Sequence, residues 1–183
     1  FTVRGGAADA SIAEKQIAAE AMAGELGLPI VRLLDGTGGG GSVKTLDPKH
    51  QDGPNGGDGR GLRTYVPANP AWDHVVANLS RVPVVSLCLG PVAGLGAARA
   101  VTSHFSVMVK NQSQIFASGP AVVKRGIGEE ASKEELGGYK IAVERAGTVH
   151  NAVDSEEEAF ATIRRFLSYM PPNVWKLPPR LTC

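Results

Sequence analysis

The amino-acid sequence predicts an α/β fold for a chain of 183 residues. Short apolar stretches typical of buried strands alternate with stretches of helical composition, and the first elements read strand, helix, strand. A chain of this length can also bury a sizeable core within one domain. These observations favour a single domain of layered helices and strands, which we assign to residues 1–170.

The first half of the chain contains two predicted strands, one predicted helix and a long irregular segment. FTVRGG (1–6) reads as a strand end with a turn, and LPIVRLLDG (28–36) as a short buried strand. Between them, residues 9–27 are rich in Ala, Glu, Lys and Leu and end at a glycine, which indicates a helix. Beyond the glycine tract 36–42, residues 47–70 carry five Gly and four Pro, so we expect a mobile excursion there.

The second half continues the alternation and then becomes largely helical. The predicted order is a helix over 71–82, a buried strand over 83–89, a short helix within 89–101, strands over 104–109 and 113–117, helices in the remainder, and a linker over 171–183.

Two of the later helices have recognisable starts. Ser132, followed three residues later by Glu135, forms a capping box. Asp154, followed by acidic residues, starts a helix over 154–170 in the same way. Apolar residues recur in that helix at helical spacing and predict one buried face: Ala159, Ile163, Phe166, Leu167 and Met170.

Composition excludes several classes of function. With 19 basic and 18 acidic residues the chain is nearly neutral, so no nucleic acid or other polyanion is expected as a partner. Its two cysteines cannot build a disulfide framework, which favours a reducing compartment. We expect no membrane segment, because no apolar run approaches the roughly 20 residues a span needs. The N-terminus lacks Met and a signal-peptide pattern, so we interpret the chain as part of a longer protein.

The stretch LGPVAGLGAARAV (89–101) is the first candidate for chemistry. It leaves a predicted strand through three glycines and a proline and then starts a helix of small apolar residues. The first turn of a helix has unpaired N–H groups and partial positive charge, and glycines let a ligand approach them. Close packing of a helix on a sheet would also require small residues, so this structural interpretation stays open.

Two kinds of ligand fit such a turn. A dinucleotide would require G-x-G-x-x-G, but Arg99 replaces the third glycine and Gln114 stands where an acidic residue is expected. A carbonyl oxygen that becomes negative during reaction would require only backbone donors, as in an oxyanion hole. The second hypothesis therefore accommodates the sequence better.

Side-chain chemistry gives weaker signals. The tract DGTGGGGSVK lacks the Gly-Lys-Ser/Thr ending of a phosphate-binding loop. Asp35 is more simply a turn cap, His104 and His150 are more simply satisfied structural histidines, and Trp72 and Trp175 are expected to be packing anchors. Because no acid–base pair stands out, the sequence favours a reaction in which the backbone holds an enolate and a cofactor or co-substrate handles the proton.

An ordered set of segments resembles the carboxyltransferase (β) subunits of biotin-dependent acyl-CoA carboxylases, of the propionyl-CoA and methylcrotonyl-CoA type. The matching segments are FTVRGGA, LPIVRLLDGTGGGG, RVPVVSLCLGPVAGLGAARAVTSHFSVMVKNQSQIFASGPAVVK, EELGG and AGTVH. The resemblance implies a crotonase/ClpP-like β/α spiral. It also implies that the chain is most of the N-terminal copy of a two-copy subunit, with the start and the C-terminal copy missing.

The resemblance further implies a mechanism and a set of residues. Carboxybiotin supplies CO2, the ureido nitrogen of biotin removes the α-proton of the acyl-CoA, and the enolate is held by the backbone amides of Gly94 and Leu95. Flanking residues and two more glycine-rich segments are then expected to bind substrate: Ala93, Gly96, Arg4, Gly5, Gly6, Gly38, Gly39, Gly40 and Gly41.

The same resemblance implies the partners and leaves some questions open. Biotin is expected to be carried by a biotin carboxylase or biotin carrier partner. The subunit is expected to form a homo-oligomer, and the enzyme is expected in the bacterial cytoplasm or the mitochondrial matrix. The sequence departs from the family's usual pattern at three places. Leu95 stands where relatives usually have glycine, the glycine tract stands in place of Ser-Gly-Gly-Ala-Arg, and Ala142 stands in place of a frequent histidine. The resemblance therefore does not decide which acyl group the substrate carries. Alternatives are another crotonase-type enzyme (decarboxylase, hydratase or isomerase) and a non-catalytic assembly domain.

Overall fold

A computed structural model describes residues 10–37, 70–178 and 180. The predicted strand end at 1–6, the glycine tract beyond 37 and the excursion at 47–70 lie outside these residues, apart from Pro70. In the described residues the elements follow in this order: α1 (Ala10–Leu26), β1 (Ile30–Thr37), α2 (Pro70–Asn78), β2 (Val84–Ala93), α3 (Leu95–Val101), β3 (Phe105–Val109), β4 (Gln114–Phe116), α4 (Pro120–Ile127), α5 (Lys133–Gly137), a π-helix (Lys140–Arg145), β5 (Asn151–Val153) and α6 (Glu156–Ser168).

The strands form one parallel sheet in the order β1-β2-β3-β5, with β4 also paired to β2. β3 pairs with residues 85–88 of β2, and β4 pairs with residues 91–93 of the same strand. Beyond the end of β3, β4 therefore takes its place beside β2. β1 pairs along nearly all of β2, with a register shift between Leu34 and Gly36. Since all the pairs are parallel, the carboxyl ends of the strands share one edge of the sheet and the amino ends share the other.

Both faces of the sheet are covered, as expected for parallel strands. On one face, Cys88 and Met108 pack with Ala97 and Ala100 of α3 and Ala142 of the π-helix. On the other face, α6 covers the sheet through a cluster of buried side chains: Val85, Leu87, Val107, Val109, Val153, Ala159 and Ile163. The predicted α/β layering is therefore confirmed.

Local signals in the sequence place several element ends correctly. Gly27 follows α1 with φ of +60°, a left-handed conformation that glycine adopts without strain. The Ser132–Glu135 capping box is present at the start of α5. The backbone and hydroxyl of Ser132 donate to the Glu135 carboxylate, and these hydrogen bonds lower the pKa of Glu135.

Three expectations for the C-terminal third are wrong. Residues 117–153 are not continuously helical, because β5 adds a short strand that pairs with β3. The cap of α6 is Ser155, whose hydroxyl accepts from the Glu158 N–H, and not Asp154, which pairs with Lys110. Trp175 is not a packing anchor, since 78% of it is exposed.

The predicted linker begins by folding back on the domain. The Val174 N–H donates to the Gly27 carbonyl at 2.9 Å. A Cβ on Gly27 would lie 2.4 Å from Cγ2 of Val174. Val174 therefore lies against the end of α1. Residues 179 and 181–183 of the predicted linker lie outside the described residues.

The Cys88 thiol is expected to be inert in the folded protein. The residue is fully buried in β2, and burial raises the pKa of its thiol to about 12. Because the unfolded thiol ionises near pH ~8.5, the native state loses stability as the pH rises above that value. In a Cys183→Ser variant, we expect Ellman's reagent to react only as denaturant unfolds the chain. Rapid labelling of the folded variant at mildly alkaline pH would contradict this expectation.

Candidate functional site

The turn between β2 and α3 lies at the carboxyl edge of the sheet, where α/β proteins bind ligands. Gly94 has φ of 60° and ψ of −123°, a conformation that a side chain would strain. Its carbonyl accepts the Ala98 N–H at 3.1 Å, which closes the first turn of α3. The predicted glycine-dependent turn is thus present at the predicted residue.

The two predicted backbone donors differ in their hydrogen bonding. The Gly94 N–H donates to the Phe116 carbonyl at 3.2 Å, which extends the pairing of β2 with β4. The Leu95 N–H belongs to the first residue of α3, and no acceptor among the described residues takes it. Leu95 is 42% exposed. In this conformation the turn therefore offers the Leu95 N–H, while the Gly94 N–H is engaged in the sheet.

The other predicted substrate-binding residues are only partly visible. Ala93 is half-buried and Gly96 is buried within α3. Gly38, Gly39, Gly40, Gly41, Arg4, Gly5 and Gly6 lie outside the described residues. Thr37 is in register with Ala93, so the chain leaves β1 for the glycine tract directly beside the β2–α3 turn.

Asp35 lies near this edge. It is an exposed residue within β1, at the register shift beside Gly36. A Cβ added to Gly90 would lie 2.1 Å from its carboxylate oxygen Oδ1. Gly90 therefore provides the space in which the Asp35 carboxylate sits against β2.

His104 and His150 lie at the opposite, amino edge of the sheet and have structural contacts. Nδ1 of His104 accepts the Val84 N–H at 3.0 Å, and its Nε2 donates to the Leu79 carbonyl at 2.9 Å. Nδ1 of His150 accepts the Ser106 N–H at 3.1 Å. Each histidine thus ties the start of its own strand to the start of the neighbouring strand, and the expectation of satisfied histidines is confirmed.

A buried polar cluster beneath α3 was not predicted. Nε and Nη2 of Arg32 donate to the two carboxylate oxygens of Glu20, at 2.7 and 3.1 Å. Nδ2 of Asn78 donates to Oε2 and to the backbone carbonyl of Glu20, at 2.8 and 2.9 Å. An arginine inside the apolar run LPIVRLLDG was the available signal, but its partners lie on other elements.

Arg99, which interrupts the dinucleotide fingerprint, belongs to the same region. Its Nη1 donates to Oε1 of Gln16 at 2.5 Å, and its buried Nε has no partner among the described residues. Burial, opposed by the charge of Glu20 and reinforced by that of Arg32, lowers its pKa. The side chain therefore extends from α3 towards α1.

Ala142, where the resemblance leads us to expect a histidine, also lies in the core. It is 2% exposed, and its carbonyl accepts the Val149 N–H. Its methyl group packs in the cluster between the sheet and the π-helix.

The Leu95 N–H, which has no acceptor among the described residues, lies at the carboxyl edge of a parallel sheet on a turn with a positive-φ glycine. These features define a class of α/β proteins that can bind carbonyl or anionic oxygen through the main chain. The carboxyl transferase domain family matches residues 1–183, the whole chain. The chain therefore belongs to that family.

Relatives and solved structures agree with this assignment. The chain is 34% identical over 183 residues to the propionyl-CoA carboxylase carboxyltransferase subunit of Haloferax mediterranei, covering 99% of this chain and 32% of that protein. It is 32% identical over 173 residues to the methylmalonyl-CoA decarboxylase subunit alpha of Veillonella parvula, covering 94% of this chain and 31% of that protein. It thus spans about a third of the length of the curated relatives it matches.

The fold is shared with a solved multienzyme core. The structure of transcarboxylase 12S, described as a hexamer with hydrolysed methylmalonyl-CoA bound, matches with a TM-score of 0.70 and 21% identity. The match covers 99% of this chain and 32% of that one. The expected crotonase-like fold is confirmed.

Among the described residues, no helix is both long enough and apolar enough to span a bilayer.

Proposed function

We propose that this chain carries the acyl-CoA side of a carboxyltransferase, which transfers a carboxyl group from biotin to the α (or vinylogous) carbon of an acyl-CoA. The observation that carries the proposal is the Leu95 N–H, which no described residue accepts, at the turn where the resemblance places the thioester oxygen. A donor fixed in the backbone favours the enolate over the thioester, because charge develops on that oxygen during the reaction.

The donor set of the turn fits a reaction in which biotin takes part. A backbone N–H holds a negative oxygen but cannot remove a proton, and His104 and His150 are bound at the far edge of the sheet. When bound, biotin would supply both the carboxyl group and a basic ureido nitrogen. The described residues would orient the thioester, and we assign the biotin side of the site to another domain or subunit.

The remaining assignments follow from the resemblance. Gly94 supports the turn and is proposed as a second donor, which would require its N–H to leave or share the Phe116 carbonyl. CoA is proposed to lie near Arg4, Gly5 and Gly6, with the tract Gly38–Gly41 beside the pantetheine or acyl end. Residues 1–170 are proposed as the N-terminal copy of a two-copy subunit, and 171–183 as the start of its linker.

Partners and location are likewise proposals. We infer a biotin-bearing partner subunit, a homo-oligomeric assembly, and a place in the cytoplasm of a prokaryote or the mitochondrial matrix. The hexamer described for transcarboxylase 12S and the subunit names of the relatives support this proposal.

Hydrogen exchange at the β2–α3 turn tests the function directly. Propionyl-CoA should slow exchange of the Leu95 amide in the native protein, because its thioester carbonyl would accept from this donor, whereas NADH has no thioester and should not slow it. Free CoA is the matched control, since it lacks only the propionyl group and with it the thioester carbonyl. Protection by NADH alone, or equal protection by CoA and propionyl-CoA, would contradict the proposed site.

A decarboxylase is the second candidate, favoured by the 32% identity to the Veillonella subunit. The same enolate would arise when a malonyl-type thioester loses its carboxyl group. Initial rates with propionyl-CoA and a protein that carries carboxybiotin, and with methylmalonyl-CoA and the same protein carrying uncarboxylated biotin, distinguish the two directions. A faster reaction from methylmalonyl-CoA under matched conditions would favour the decarboxylase.

A further inference from the structure

The buried cluster of Glu20, Arg32 and Asn78 connects four elements at one point. Glu20 lies on α1, Arg32 on β1 and Asn78 on α2, and all three are almost fully buried at 6%, 6% and 2% exposure. The fourth element is α3, which Arg32 reaches through its remaining nitrogen. The cluster therefore fixes the position of α3 relative to the sheet and to both neighbouring helices.

Arg32 holds α3 by its C-terminal end. Its Nη1 donates to the Thr102 carbonyl at 2.7 Å and to the Arg99 carbonyl at 3.3 Å. The hydroxyl of Ser86 on β2 also donates to the Arg99 carbonyl, at 3.3 Å. These carbonyls are among those a helix leaves unpaired at its end, and a cation there is favoured by the helix dipole.

Glu20 sets the orientation of the guanidinium. Its carboxylate binds Nε and Nη2 in the two-point geometry that only arginine offers, which turns Nη1 towards α3. Asn78 occupies Oε2 of the same carboxylate and so limits its rotation. Buried ion pairs seldom stabilise a fold more than apolar residues of the same volume do. We therefore assign to this ion pair the orientation of the Arg32 guanidinium.

The length of α3 makes its two ends a single rigid unit. Its seven residues, Leu95–Val101, span about 10 Å. A shift of the Thr102 carbonyl therefore moves the Leu95 N–H with it. We propose that Arg32, oriented by Glu20, is a positioning residue that holds the Leu95 N–H at the thioester oxygen of the acyl-CoA. This inference rests on the proposed function.

Binding of a carbonyl-bearing and a carbonyl-free ligand to the native enzyme tests the inference. The probes are propionyl-CoA and S-propyl-CoA, a thioether that lacks only the carbonyl oxygen. The wild-type protein should prefer propionyl-CoA about fivefold, the worth of one ordinary hydrogen bond. Arg32→Lys keeps the charge and loses the two-point contact, so the preference should fall to about one. Glu20→Gln, a milder change, should lower the preference in the same direction.

The control separates positioning from stability. Ile163 lies on α6, in the core cluster on the face of the sheet opposite α3. The control is Ile163→Val or Ile163→Ala, chosen so that its free energy of unfolding matches that of the Arg32 or Glu20 variant. This control should keep the wild-type preference for propionyl-CoA over S-propyl-CoA. Loss of preference in that control, or a preference retained in the Arg32 and Glu20 variants, overturns the inference. No preference in the wild-type protein overturns the proposed function itself.

Discussion

Replacing Leu95 with proline is expected to lower the turnover number of the native enzyme by about 100- to 1,000-fold, the usual effect of losing one oxyanion donor. Proline has no backbone N–H, and Leu95 is the first residue of α3, the helical position that accepts proline best. The fold should therefore persist while the donor is lost. Steady-state kinetics with propionyl-CoA, alongside circular dichroism, measures both effects.

Leu95→Ala is the matched control for this prediction. It removes the 42% exposed side chain and keeps the N–H, so turnover should stay within a few-fold of wild type. If Leu95→Ala and Leu95→Pro lose turnover equally, the side chain and not the backbone donor is the important group. Full activity of a folded Leu95→Pro enzyme would remove Leu95 from the site.

Replacing Gly137 with alanine is expected to lower the free energy of unfolding by about 3 kcal/mol, at the upper end of typical overpacking costs. A Cβ there would lie 1.9 Å from the Ile115 carbonyl oxygen and 2.7 Å from its carbonyl carbon. Both atoms are backbone, so α5 and β4 would have to separate. Urea denaturation at equilibrium measures the change.

Gly126→Ala provides the comparison at a glycine without this restriction. It lies within α4 and has no positive φ. Among the described residues, no atom outside its own helix lies within 4 Å of the position that a Cβ would take. Alanine there should stabilise the helix by up to about 1 kcal/mol. A Gly137→Ala variant as stable as Gly126→Ala would show that α5 and β4 separate at little cost.

The sequence predicted the elements whose cause is local. The glycine that ends α1, the apolar run that becomes β2 and the Ser132–Glu135 box each contain their own structural signal within a few residues. β5 was missed because three residues, Asn151–Val153, carry no usable periodicity and become a strand only by pairing with β3. The π-helix has no signal of its own in the sequence either.

The candidate site was predictable in part for the same reason. Three glycines after an apolar run indicated an accessible main chain, and Gly94 in this stretch has a positive φ of 60°. The Gly94 N–H donates to the Phe116 carbonyl because of the register between β2 and β4, and no local pattern in the sequence encodes that register. The pairing of Arg32 with Glu20 and Asn78 depends on three elements meeting, and could not be predicted from any one of them.

The two edges of the sheet are under different constraints. At the amino edge, His104 and His150 are each committed to the neighbouring strand, so substitutions there act on the fold as a whole. At the carboxyl edge, the β2–α3 turn and the exit from β1 at Thr37 adjoin each other, and 32 residues of sequence separate Thr37 from Pro70. Length and composition can therefore change at the carboxyl edge without disturbing the histidine contacts that join the strands at the amino edge.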